Sequence, residues 1–378
     1  MSRCLPTPFD ARESGARQGG ARARGLTLGM GSWQMGGRSN RESLDTWRGF
    51  ACLLLVVYHV IGSDPTHGLR VAEGPLRLLN DGLAYLRMPL FTFLSGMVYG
   101  LRPFAGDSRA FLGGKARRLL VPMLFVGTLF AVVRSLVPVA NHGAGHDRNW
   151  LLLHIEPVAH FWFLEALFWI FVLIWALERG RLLATPARLV AFWLLAATVD
   201  LTTPGPYWLA LGGATYLLPY FLAGLAVSRF SLTPQLGRGW MRALLVAAAG
   251  FAIVKLGMPV PDADRHTLWV LVAGVSLCAL CAGLRFEAGW LARIGTSSYA
   301  IYLFHVFFTA AARMALQNAG VTASALLIAA GAVLGIGGPM LVERWASRHA
   351  GTRVLMLGQP LRRRETSPPT RQALAPLG

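Results

Sequence analysis

Apolar runs of about twenty residues recur along most of this sequence, and they constrain its fold more than any other feature. An α-helix needs a run of that length to cross the hydrocarbon core of a bilayer, which is about 30 Å thick. We predict about ten such spans, at 44–62, 84–101, 119–138, 160–177, 188–203, 207–228, 241–258, 267–284, 297–316 and 323–342. The second, fifth and sixth are short or are broken by Gly and Pro, so a count of nine or eleven stays open. The sequence therefore predicts an all-α, polytopic membrane protein.

Charged residues make up only 14% of the chain, against roughly 25% in a soluble domain. The net charge of +18 is carried mainly by the tails and by alternate loops, which argues against a nucleic-acid partner. One set of loops contains thirteen basic residues: Arg102, Arg109, Lys115, Arg117, Arg118, Arg179, Arg181, Arg188, Arg229, Arg238, Arg242, Arg285 and Arg293. The opposite set contains five: Arg70, Arg77, Arg87, Arg148 and Arg265. This asymmetry follows the positive-inside rule and predicts a multi-pass protein of the inner (plasma) membrane with both termini in the cytoplasm.

The two ends of the chain are predicted to lie outside the membrane domain. Residues 1–41 are rich in Arg and Gly and lack an apolar core, which indicates a disordered tail rather than a signal peptide. A translation start at Met30 or Met35 is an equal alternative for this segment. Residues 347–378 are predicted to form a disordered cytoplasmic tail, which leaves 42–346 as the transmembrane domain.

Ionisable side chains inside the predicted spans are the first candidates for a functional site, because a charge or an imidazole is costly in hydrocarbon. Within the spans they are Arg48, His59, Glu165 and His305, while Arg134, Lys255 and Arg313 lie nearer the outer ends. Long side chains near a span end can extend to the lipid headgroups, so we interpret these last three as structural.

The first span combines an Arg at its start with a His deep in the membrane. Arg48 and His59 are eleven residues apart, so they share a helix face and lie about 16 Å apart along the axis. With Arg48 at the cytoplasmic edge, His59 lies beyond the middle of the bilayer. We interpret His59 as functional, although an imidazole that only joins two helices by a hydrogen bond stays an alternative.

His305 is the second intramembrane imidazole, and Tyr302 shares its helix face three residues earlier. Glu165 lies about one turn into the fourth span from its outer side and is able either to orient a His or to pair with Arg134; the sequence does not choose. The outward loop 139–159 contains His142, His146, Asp147 and Trp150, which fits either a lid that faces a sugar or a plain solvated loop.

Several familiar catalytic motifs are absent from the sequence: the phosphate-binding loop, the GxSxG nucleophile elbow, HExxH and the Rossmann glycine pattern. The irregular spacing of His142, His146, His154 and His160 disfavours a metal site, and we predict no metal. Chemistry that relies on His and Arg inside a membrane indicates group transfer.

Six motifs in order resemble the membrane acyltransferase family 3. "LDTWRGFACLLLVVYHV" (44–60) is similar to the family's first-helix signature, with Asp45, Arg48, Gly49 and His59 in matching places. The other five are "MPLFTFLSGMVYG" with Ser95 and Gly96, "GGKARRLLVPML" with Lys115, Arg118 and Pro122, "HFWFLEALFW", "LPYFLAGLAV", and "SSYAIYLFHVFF" with Ser298, Tyr299, Tyr302 and His305. The sequence departs from the family at Lys115, where many members have Arg, and at Thr92 inside the aromatic run.

This resemblance implies an O-acyltransferase that moves an acyl group, usually acetyl, from acyl-CoA to a hydroxyl of a sugar, polysaccharide or lipid-linked glycan. Acyl-CoA would be a co-substrate, with no permanently bound cofactor. Its phosphates would be held by Arg48, Lys115, Arg117 and Arg118. The expected catalytic residues are His59, as general base or as acyl acceptor, together with Arg48 and His305.

Ser95, Tyr302 and Glu165 are expected to bind the substrate, with Ser95, Tyr302 and His305 placed to position the acceptor or to donate to the oxyanion. Two alternatives remain open at this stage. One is a membrane carrier or exporter of glycan or lipid without chemistry, and the other is an enzyme whose acceptor is a small cytoplasmic metabolite.

Overall fold

The computed structural model describes residues 38–63, 67–71, 73–137, 149–203, 205–230, 243, 265–284 and 286–361, with the side chains of 38–40 and 84 left out. The structure is 80% helical, and no strand occurs in these ranges. The predicted all-α fold is therefore confirmed. Except for Ala243, the predicted span 241–258 lies outside the described ranges, and so do His142, His146, Asp147 and Lys255.

Twelve α-helices are found in the part of the chain that is described. They are α1 (Arg38–Ile61), α2 (Pro75–Gly82), α3 (Ala84–Leu101), α4 (Ser108–Leu136), α5 (Trp162–Arg179), α6 (Pro186–Thr202), α7 (Leu211–Arg229), α8 (Leu268–Gly283), α9 (Gly289–Thr296), α10 (Ser298–Asn318), α11 (Ser324–Ala346) and α12 (Ala350–Leu357). Short 3₁₀ helices occur at Trp150–Leu152, Ala159–Phe161 and Trp208–Ala210.

Within the described ranges, six helical segments are long and apolar enough to cross a membrane: Arg41–Ile61, Ser108–Leu136, Ala159–Arg179, Trp208–Arg229, Ser298–Asn318 and Ser324–Ala346. They coincide with six of the predicted spans. Three other predicted spans are helices of 18, 17 and 16 residues, namely α3, α6 and α8. A straight helix of 16 residues is about 24 Å long, which is short for a 30 Å core. The count of ten, like the orientation of the termini, stays a prediction.

Helix α1 lies between α9, α10 and α11 and also contacts α3. Its crossing with α9 is very close because glycines occupy both sides of it. A Cβ atom added at Gly49 would lie 1.9 Å from the Leu291 carbonyl oxygen, and one added at Gly295 would lie 1.8 Å from the Asp45 carbonyl oxygen. Gly49, which belongs to the first-helix motif, is therefore needed for packing.

The Ser-Gly motif of α3 has the same explanation. A Cβ atom at Gly96 would lie 2.1 Å from the Phe221 carbonyl oxygen of α7, and one at Gly224 would lie 2.0 Å from the Phe93 carbonyl oxygen. These two glycines bring the backbones of α3 and α7 together, and Phe93 and Phe221 are fully buried beside them.

Polar groups from α2 hold the C-terminal end of α1, where helix carbonyls lack partners within the helix. Arg77 donates to the carbonyl oxygens of Gly62 and Ser63 at 3.2 and 2.9 Å. The Asn80 amide donates to the same Gly62 oxygen at 3.1 Å. The last turn of α1, which contains His59, is fixed by these bonds.

The segment predicted to be a disordered tail from residue 347 begins with a helix. Helix α12 packs against α4, and its last residue, Leu357, is only 1% exposed. The burial of this apolar side chain in the main core offsets the conformational entropy that the short segment loses when it forms a helix. The amino-acid composition of the tail alone does not indicate this effect.

Candidate functional site

Three histidines from three separate helical segments meet inside the structure. The ring centroids of His59 and His305 lie 4.9 Å apart, those of His160 and His305 lie 4.9 Å apart, and those of His59 and His160 lie 5.7 Å apart. His59 comes from the last turn of α1, His305 from the first half of α10, and His160 from the 3₁₀ helix that precedes α5. We refer to these three residues as the histidine cluster.

His305 has a defined hydrogen-bonding state. Its side chain is fully buried, and its Nδ1 lies 2.8 Å from the Ile301 carbonyl oxygen and 3.0 Å from the Tyr302 carbonyl oxygen. Because carbonyl oxygens only accept, Nδ1 must carry the hydrogen. In the neutral ring Nε2 then carries the lone pair, and this buried atom has no hydrogen-bond partner among the described residues.

The backbone of His160 is held by a hydrogen bond from Tyr302. The Tyr302 hydroxyl donates a hydrogen bond to the His160 carbonyl oxygen. The ring packs on Phe161, with the centroids 4.1 Å apart, and is 8% exposed. In the part of the chain that is described, its Nε2 is also buried without a hydrogen-bond partner. Two buried ring nitrogens without partners in one cluster indicate a site that binds a polar group.

His59 is the member of the cluster that is partly exposed, whereas the other two are buried. Its neighbour Tyr58 stacks under the Arg87 guanidinium, which lies 4.0 Å from the ring centroid. Arg87 is buried and also donates to the Asn80 carbonyl oxygen and to Asn80 Oδ1. His59 is therefore the most exposed residue of the cluster, and the Arg87 guanidinium packs on its neighbour Tyr58.

Two of the predicted substrate-binding side chains, Ser95 and Tyr302, already use their hydroxyl groups in hydrogen bonds to backbone carbonyl oxygens. The Ser95 hydroxyl donates to the Phe91 carbonyl oxygen of its own helix at 2.8 Å. The Tyr302 hydroxyl is occupied by His160, so Tyr302 belongs to the site as the residue that positions His160. Glu165 is buried in α5, and among the described residues it makes neither a hydrogen bond nor an ion pair. The structure thus joins it neither to the histidine cluster nor to Arg134.

Two of the predicted phosphate-binding residues, Arg48 and Arg118, lie near the first turn of α10. Arg48 pairs with Asp45 at 3.0 Å, and one turn later Cys52 contacts the Ser298 carbonyl oxygen at 3.8 Å. The next residue, Tyr299, lies under the Arg118 guanidinium, 4.1 Å from the ring centroid, and its hydroxyl donates to the Arg118 carbonyl oxygen.

The other two basic residues of α4 differ in their surroundings. Lys115 is half-buried, with its Nζ 3.6 Å from the centroid of the Phe171 ring. Arg117 is exposed. Arg48 lies eleven residues before His59 on α1, and Arg118 lies twelve residues before Phe130, which packs on His160, on α4. Arg48, Lys115, Arg117 and Arg118 therefore lie towards the end of the bundle away from the histidine cluster, and we refer to these four residues as the basic cluster.

A second buried pair, Asp200 and His266, contrasts with the histidine cluster. His266 Nδ1 lies 2.7 Å from Asp200 Oδ1, and Arg265 Nε donates to His266 Nε2 at 3.2 Å. Both ring nitrogens are therefore engaged, and the pair ties the end of α6 to the start of α8. The sequence does not predict this pair, because Asp200 and His266 are far apart in the chain.

His160 is a member of the site that is not predicted from the sequence. The relevant signal was its position directly before the apolar segment "FWFLEALFW". Its possible metal partner His154 instead lies 2.9 Å from the Thr128 hydroxyl. In the described ranges no group of three or more His, Cys, Asp or Glu side chains is arranged to hold a metal ion.

The family model described as an acyltransferase domain, acyltransferase family 3, matches residues 41–344. The chain belongs to this family. The match includes the histidine cluster and the basic cluster, and it ends before α12. Comparison with curated proteins and with solved structures found no match. With six apolar helices of spanning length, the chain is a multi-pass membrane acyltransferase.

Proposed function

We propose that this acyltransferase moves an acyl group, acetyl in the simplest case, from acyl-CoA to a hydroxyl of a sugar or lipid-linked glycan. The observation that carries the proposal is the histidine cluster, in which the partly exposed His59 lies against two buried imidazoles with open Nε2 atoms. Such a cluster suits general-base catalysis, because a neutral imidazole has a ring nitrogen that is able to take the proton of a hydroxyl.

In the proposed reaction, one proton moves from the acceptor hydroxyl to His59 and then from His59 to the sulfur of CoA. His59 takes the proton from the acceptor hydroxyl while the hydroxyl oxygen attacks the carbonyl carbon of the thioester. The new carbon–oxygen bond forms, the carbon–sulfur bond breaks, and the sulfur leaves as the thiolate of CoA. The imidazolium of His59 then returns the proton to that sulfur, which restores the neutral ring.

The buried members of the cluster would set the orientation of the reacting groups. With its hydrogen on Nδ1, His305 offers a lone pair at Nε2 that accepts a hydrogen bond from the acceptor hydroxyl or from the His59 ring. This role is similar to that of the carboxylate that orients the His of a serine hydrolase. His160 would form the opposite wall of the site.

The basic cluster supports an acyl-CoA donor. CoA carries several phosphate charges, and Arg side chains bind phosphate oxygens in pairs. Arg48 and His59 lie on one face of α1, about 16 Å apart. A donor held by its phosphates at the cytoplasmic end would extend its pantetheine arm along α1, with the thioester at the histidine cluster.

The predicted orientation places His59 in the outer half of the inner membrane, which favours an acceptor on the extracytoplasmic side. A glycan that is linked to a lipid would reach His59 at this depth while its lipid stays in the bilayer. His59 is also able to take the acyl group covalently and pass it on, so a direct and a two-step route share the same residues.

The test uses acetyl-CoA labelled in the acetyl group, with membranes that contain the full chain and a lipid-linked glycan extract. The proposal expects alkali-labile label on the glycan together with free thiol in equal amount. A carrier would leave the thioester intact. Label that stays on the protein after the glycan is omitted would select the covalent route.

A further inference from the structure

Helix α12 contacts the basic cluster directly, although it lies beyond the family match at 41–344. Arg118 Nη1 donates to the carbonyl oxygen of Leu357, the last residue of α12, at 2.9 Å. This carbonyl is one of those that a helix end leaves without a partner in the helix. A cation at the C-terminal end of a helix is also favoured by the helix dipole.

The chain then turns at Gly358 in a backbone conformation that favours glycine. Gly358 has φ +59°, in the left-handed region, and an added Cβ atom would lie 2.5 Å from the Arg117 carbonyl oxygen. Its N–H donates to the Val354 carbonyl oxygen at 2.9 Å and completes the C-cap. The backbone of α12 therefore rests on the backbone of α4 at Arg117 and Arg118.

Two contacts together fix the plane of the Arg118 guanidinium. The Leu357 oxygen binds one nitrogen, and the Tyr299 ring lies 4.1 Å below the group. A guanidinium has five N–H donors, so this arrangement leaves others available for an anion. A cation that is already oriented loses less conformational entropy when it binds a phosphate.

We infer that helix α12 is a working part of the acyl-CoA site, in which Leu357 and Gly358 hold Arg118 in the orientation that binds a phosphate of the donor. This inference rests on the proposed function, because it needs a CoA donor at the basic cluster. It adds a positioning element that the family match does not include.

The experiment measures the dissociation constant of coenzyme A for the full chain in detergent, by titration calorimetry, in matched variants. Gly358→Ala introduces the Cβ atom that meets Arg117, and Gly351→Ala is its control, since an added Cβ atom at Gly351 has nothing within 4 Å. Gly358→Asn is a second variant whose residue type adopts the left-handed backbone more readily. We expect both Gly358 variants to bind coenzyme A about tenfold more weakly and Gly351→Ala to bind it as the wild type does.

A double-mutant cycle with Arg118→Gln separates positioning from a general structural effect. If α12 acts through Arg118, Gly358→Ala adds no further loss of affinity in the Arg118→Gln background. Unchanged affinity in both Gly358 variants, or losses that simply add in the cycle, would overturn the inference while leaving the proposed function intact. A wild-type chain that does not bind coenzyme A would instead remove the proposed donor, and the inference with it.

Discussion

His59 and His305 place their ring centroids 4.9 Å apart, although they come from the first and the tenth helix of the described chain. This contact joins the first and the last motifs of the sequence in one site. His160 closes the cluster from a third segment, so three regions of the family match converge on one point between the helices. The predictions below test what this arrangement does.

Tyr302→Phe should lower kcat by about fivefold to tenfold, because His160 would lose the hydrogen bond that holds its backbone. The measurement is the initial rate of thiol release at saturating acetyl-CoA. Tyr207→Phe is the matched control, since the exposed Tyr207 hydroxyl donates to the Pro157 carbonyl oxygen at 3.4 Å, at the surface. Equal rates for the two variants would mean that Tyr302 does not position the site.

Arg117→Gln should raise the KM for acetyl-CoA several-fold with little change in kcat, because the exposed guanidinium is expected to bind a phosphate and takes no part in the reaction. Added salt should reduce the difference in KM between Arg117→Gln and the wild type, because salt screens a surface charge. Arg109→Gln, an exposed Arg earlier on the same helix, is the control. The same rise in KM for both variants would show only a general effect of charge.

Gly49→Ala should destabilise the protein by about 1–3 kcal/mol or more, because the added methyl group would lie 1.9 Å from the Leu291 carbonyl oxygen and push α1 from α9. The measurement is the unfolding temperature of the protein in detergent. Gly337→Ala, where an added Cβ atom meets nothing within 4 Å, should leave it nearly unchanged. A Gly49→Ala variant as stable as Gly337→Ala would contradict the close crossing.

The sequence predicts the helical fold and the two intramembrane histidines well, for a physical reason. Apolar length and a costly imidazole in hydrocarbon are local properties, so His59 and His305 are visible without a structure. His160 is less visible because it lies at the edge of a span, where an imidazole costs little. Its role follows only from the Tyr302 bond and from the distances to the other two rings.

Other parts of the site depend on how helices cross, which hydropathy does not encode. Gly49 and Gly96 were matched as motif residues, and the structure shows that each brings two backbones together. Ser95 was expected near the acceptor, but its hydroxyl is bonded within α3. The polar composition of the C-terminal segment concealed α12, because a single buried residue, Leu357, anchors it.

The most direct test of the account compares thiol release from acetyl-CoA by purified wild type, His59→Ala and His349→Ala, each reconstituted with the glycan acceptor. His349 is exposed and distant in sequence from the cluster, so its loss is a control for removing any histidine. We expect His59→Ala to release thiol about 10²- to 10⁴-fold more slowly than the wild type at an unchanged yield of folded protein. We expect the rate of His349→Ala to be close to that of the wild type. A His59→Ala protein that releases thiol and acylates the glycan at close to the wild-type rate would contradict it.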